Sequence, residues 1–172
     1  MQITEPANYL DHMLKQTRQH HVTLSAMADT KANMLLTMSS VVSTLCLPQL
    51  ANDHYRLPLA ILMSACLLTI ILACYAVMPK LSFKHADAPI DTTSQSFNPL
   101  FFGDFQALAY PEYVQLMEAV MNDPSSSYEM QLREIYTMGQ YLARKKYRLL
   151  RWAYLSFLSG FICAGMAIVL TW

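Results

Sequence analysis

Charge is scarce in this chain. Only 14% of its residues are Asp, Glu, Lys or Arg, against about 25% in soluble domains. Basic and acidic residues number 12 each, so the net charge is zero. No global positive field exists to attract nucleic acid, which is not expected as a partner. Glycine is scarcer still: four in 172 residues, none before Gly103. That excludes a Gly-rich loop for cradling phosphates. Cys46, Cys66, Cys74 and Cys163 form no Cys-x-x-Cys pair and have no His at ligand spacing. They read as small buried hydrophobes, not as a disulfide framework. No Ser-His-Asp order is present, and His20, His21, His54 and His85 fall in no metal or catalytic arrangement. We therefore expect no catalytic residue, no metal and no cofactor, and a protein that is not an enzyme.

What the chain does have is three long stretches without a single charge: Ala32–Asn52, Leu57–Pro79 and Trp152–Trp172. Each approaches the roughly 20 residues that a helix needs to cross a hydrocarbon core of about 30 Å. The fold class read from this is all-α: an integral membrane protein with three transmembrane helices and a small cytoplasmic helical bundle. The expected organisation is an N-terminal cytoplasmic helix over residues 1–31 and a transmembrane hairpin over 32–79, with spans at about 32–50 and 57–78. A cytoplasmic helical region over 80–151 and a third span over 152–172 complete it. The acids and bases from Glu5 to Asp29 interrupt any secretory-signal core, so the first span is expected to stay in the protein.

Local signals fill in this outline. Thr4, Glu5 and Pro6 read as a helix start. Leu10, Leu14, Val22, Leu24 and Met27 form a loosely amphipathic run into the first span. Thr37, Ser39, Ser40, Ser43 and Thr44 make that span rich in hydroxyls, and it is expected to face protein. Lys84–Phe97 reads as a loop, and Tyr110–Met121 as a short helix. Ser126 and Glu129 stand at capping-box spacing and open a long helix that runs without proline to Thr171. Basic residues set the orientation. Lys15, Arg18 and Lys31 precede span one, only Arg56 lies in the turn, and eight lie between spans two and three. The positive-inside rule places the N-terminus and residues 80–151 in the cytoplasm, with the turn and the C-terminus outside.

Three motifs stand out, each with a structural and a functional reading. Arg144, Lys145, Lys146, Arg148 and Arg151 are the densest cluster. They serve either as a headgroup anchor or as an anion site, which Arg133 could extend. Asp29, Lys31 and Asn33 sit where the first helix meets the bilayer; Asp29 and Asn33 share a face. They form either a helix–helix polar contact or part of a ligand site. Asn98–Asp104 carries Phe101 and Phe102, either a small core plug or a wall on which a base stacks.

Three blocks, in order, resemble the transmembrane effectors of Pycsar, the bacterial pyrimidine cyclase system for antiphage resistance. They are Ala28-Asp29-Thr30-Lys31-Ala32, Asn98-Pro99-Leu100-Phe101-Phe102, and Tyr141–Arg151 leading into the last span. The resemblance implies an inner-membrane effector that senses a cyclic pyrimidine mononucleotide, cCMP or cUMP, made by a partner cyclase. Sensing then impairs membrane integrity and arrests or kills the infected cell. The ligand-contacting candidates, chosen on chemistry, are Asp29, Lys31, Asn33, Asn98, Phe101, Phe102, Arg133, Arg144, Lys145, Lys146 and Arg148. A homo-oligomer in the lipid bilayer is expected, since three spans cannot enclose a wide pore. The alternative is a structural or regulatory membrane subunit that docks a soluble partner through its cytoplasmic helices.

Overall fold

A computed structural model describes residues 7–78 and 97–171. The expected helix start at Thr4–Pro6, and all of the Lys84–Phe97 loop except Phe97, lie outside the described residues. Among those described there are helices and turns but no strand.

Between Ala7 and Leu47 there is no proline or glycine, and α1 runs unbroken over Asn8–Cys46. Pro48 then enters a single 3-10 turn, Leu47–Ala51, and the chain reverses. Helix α2 spans Arg56–Val77, with Pro58 in its first turn, where no intrahelical N–H is required. Helix α3 is one turn, Phe102–Phe105, and α4 spans Tyr110–Asn122 with Pro111 at its start. Helix α5, Pro124–Tyr141, continues through a π-helical turn, Leu142–Tyr147, into α6, Arg148–Thr171.

The start of α5 differs from the capping box expected at Ser126. Asp123 caps instead: its carboxylate accepts from the N–H groups of Ser125 and Ser126, at 3.1 and 3.2 Å, and from the Ser126 hydroxyl at 2.6 Å. Pro124 can then occupy the first helical position, where its missing N–H costs nothing. These hydrogen bonds, that of Ser126 foremost, hold the Asp123 carboxyl below its ordinary range.

The chain divides into two compact units. One contains residues 7–22 and 97–140, and the other residues 23–78 and 141–171. In the first, α1 meets α5 through polar contacts. The Tyr128 hydroxyl donates to Asp11 at 2.7 Å, and Arg18 pairs with Glu134 at 3.0 Å. The Asp11 carboxylate, with burial, pushes the Tyr128 hydroxyl above its usual pKa. A side chain on Gly139 would press on the His21 ring, with its first carbon 3.2 Å from Cε1. Of the apolar run expected at the start of α1, Leu14 is buried while Val22 and Met27 stay exposed.

In the second unit, small residues let three helices approach closely. Ala28, Ala32 and Leu35 of α1 cluster with Ala73 of α2 and with Leu150 and Ala153 of α6. A Cβ added to Gly160 would overlap that of Ala65, so α2 and α6 meet nearly backbone to backbone. Thr69 Oγ1 lies 3.4 Å from the Ala153 carbonyl, and Ser156 Oγ donates to the Ala65 carbonyl at 3.2 Å.

Three helical stretches, Asn8–Ala51, Arg56–Val77 and Pro124–Leu170, are long and apolar enough to cross a membrane. Only 17%, 22% and 17% of their most apolar windows is buried by the chain itself. That much uncovered apolar surface is what water disfavours and lipid accepts.

Candidate functional site

The π turn Leu142–Tyr147 carries Arg144, Lys145 and Lys146, α6 carries Arg148 and Arg151, and of the five only Lys146 turns inward. The buried positions here are Leu142, Lys146, Leu150 and Ala153. Their spacing of four, four and three keeps them on one face of the continuous helix. Lys146, only 7% exposed, is thereby directed at α1. Its Nζ lies 2.7 Å from Asp29 Oδ1 and donates to Ser25 Oγ at 2.8 Å. The next residue, Tyr147, donates its hydroxyl to the Leu24 carbonyl at 3.0 Å. Two consecutive residues of the π turn thus hold one turn of α1. A buried ammonium persists only when paired, and here the carboxylate of Asp29 pairs it.

The other cations of the cluster remain outside. Arg144, Lys145, Arg148 and Arg151 are exposed and have no ion-pair partner among the described residues. Arg144, Arg148 and Arg151 stand at i, i+4 and i+7, one face of a helix. Arg133, on α5, pairs with Glu129 at 3.3 Å within its own helix.

The aromatic block is a self-capped turn. Asn98 is buried, and its Oδ1 accepts from the Leu100 N–H at 2.9 Å. Its own N–H donates to Asp104 Oδ2 at 3.1 Å. Such Asx turns replace backbone hydrogen bonds where the chain bends. Phe97 and Pro99 are buried beside it. Phe101 and Phe102 project outward, 45% and 52% exposed, with ring centroids 5.1 Å apart. The Phe101 ring lies over Gly103, and a Cβ there would make the exposed ring turn aside.

The residues singled out in the sequence thus fall into two groups. Asn98, Phe101, Phe102 and Arg133 belong to the first unit. Asp29, Lys31, Asn33, Arg144, Lys145, Lys146 and Arg148 belong to the second. The structure joins Asp29 to Lys146, while Lys31 and Asn33 stand exposed on α1. Ser25 and Tyr147 complete the polar contact and were not foreseen. Ser25 lies four residues before Asp29, so helical spacing alone could have flagged it.

Three membrane-length helices, a buried ion pair between two of them and a run of exposed cations before the third define a helical protein of membrane type. Residues 12–171 match the family model of the Pycsar effector protein domain, and the chain belongs to that family. It is therefore an antiphage defence effector, the responding arm of its system rather than the cyclase, and the family implies a cyclic nucleotide signal from a partner cyclase. No curated protein and no solved structure matches the chain.

Proposed function

We propose that this chain senses a cyclic pyrimidine mononucleotide, cCMP or cUMP, and impairs the integrity of the inner membrane in which it sits, arresting the infected cell. The observation that carries the reading is the family match over residues 12–171, which takes in the three apolar helices. The proposed topology puts the N-terminus and residues 80–151 in the cytoplasm and the C-terminus in the periplasm, as the asymmetry of basic residues favours.

A cyclic mononucleotide presents one negative charge and one flat base. The groups offered to a phosphate are the exposed Arg144, Lys145 and Arg148. Lys146 is engaged with Asp29 and is given the structural role. In the other unit, and as a surface of its own, the outward pair Phe101 and Phe102 offers a face on which a flat base can stack. Ligand binding acts on the membrane only through a difference in affinity between two states of the protein.

Calorimetric titration of the detergent-purified protein with cCMP, cUMP, cAMP and cGMP tests the reading. Saturable binding of one pyrimidine nucleotide, with both purines silent, is expected. In the variant carrying Arg144→Gln, Lys145→Gln and Arg148→Gln the heat should vanish while membrane insertion persists. Absence of binding by either pyrimidine would overturn the sensor reading.

A further inference from the structure

The face of α1 turned away from its own chain carries an order of its own. Thr30, Asn33, Thr37, Ser40 and Thr44 are all exposed. They are spaced three, four, three and four, the repeat that keeps a line of residues on one side of a supercoiled helix. The packed face repeats in the same way: Ala28, Ala32, Leu35, Ser39 and Cys46 are buried on the opposite side. Helix α1 therefore has two seams. The apolar seam is occupied by α2 and α6; the polar one is left exposed among the described residues. Of the hydroxyl residues expected to face protein, only Ser39 is fully buried by the chain's own described helices.

The polar seam begins at Thr30 and Asn33, where we place the entry of α1 into the bilayer, and continues through Thr37, Ser40 and Thr44 into hydrocarbon, where a polar group lacks water as a partner. Thr30, Thr37 and Thr44 each donate a proton to the carbonyl four residues before, at 3.0, 3.0 and 2.9 Å. Their oxygens are left as acceptors aimed outward. The Asn33 side-chain amide has no hydrogen-bond partner among the described residues, and it supplies two donors and an acceptor. The seam thus complements itself. A shallow hollow of about 440 Å³ runs along Thr30, Asn33, Met34, Thr37 and Met38, on the same face.

We infer that this seam is the surface through which a second copy of the chain docks, α1 parallel to α1, with Asn33 meeting Asn33 across a symmetry axis. The occupant is a second copy for two reasons. The heptad spacing fits a helix, and all copies inserted with one topology present the same seam at the same depth. The pairing rests on the proposed membrane placement of α1 but not on nucleotide sensing.

Disulfide trapping in native membranes tests it. The background is the full chain with the exposed thiols removed, Cys74→Ala and Cys163→Ala; Cys46 and Cys66 are buried. Under mild oxidation Thr37→Cys should move most of the chain to twice its 19.6 kDa mass. Leu67→Cys, exposed on α2, should not. Sedimentation in detergent should show Asn33→Leu with Thr37→Val shifted from multimer to monomer. The inference is overturned by equal trapping at Thr37 and Leu67, by an adduct of another mass, or by a multimer that survives the double substitution. A chain that binds a pyrimidine nucleotide yet never traps at Thr37 would sink this inference alone. A chain that traps but ignores both nucleotides would sink the sensor reading alone.

Discussion

Helix α1 is held by different chemistry along its two parts. Up to Val22 its ties are polar, through Asp11 to Tyr128 and Arg18 to Glu134. From Ala28 onward they are mainly steric, as Ala28, Ala32 and Leu35 pack against small residues of α2 and α6. In hydrocarbon, burying one more apolar group gains little, because lipid is as apolar as leucine. Close contact between backbones is what remains, and small side chains permit it. The Lys146–Asp29 pair is the exception in the second part, a polar tie among steric ones.

That exception gives the largest expected effect. Asp29→Ala leaves the Lys146 ammonium buried without a counter-charge and should cost about 3 kcal/mol. Lys146→Met should cost clearly less, because the Asp29 side chain is 42% exposed and can be reached by water. Thermal melts of the two variants in detergent would decide; equal losses would show that the tie is not governed by burial of the cation. The steric half comes next. Gly160→Ala forces a methyl into Ala65 and should lower stability by about 2 kcal/mol. A neutral outcome by the same melt would mean that α2 and α6 separate at little cost. The smallest effect belongs to the polar end. The Asp123 carboxyl is held below its ordinary value, so its contribution to α5 is complete above about pH 4 and fades as pH falls through the lowered value. Circular dichroism from pH 5 to pH 2 should show a loss of helix that Asp123→Asn lacks.

Much of the fold was legible because its signals are long. A charge-free run of some 20 residues leaves little choice of structure, and the absence of proline after Pro124 foretold one long helix. Short-range signals were ambiguous. Ser126 and Asp123 are both good caps, and only the position of Pro124 favours the second. The site was harder to read. Five cations in eight residues look alike in sequence, and only Lys146 falls on the face buried with Leu142, Leu150 and Ala153. Asn98 looked like a base reader but closes its own turn with Leu100. The pairing Asn98-Pro99 carried the hint, since Asn before proline favours a turn closed by its own side chain.

The close approach at Ala32, Ala153 and Gly160 has a consequence for how this sequence can vary. Replacing any of the three with leucine would raise hydropathy and favour partitioning into lipid. The same replacement would drive the helices apart. Insertion and assembly therefore select in opposite directions at these positions, and bulk rather than polarity is the property that the folded core reads.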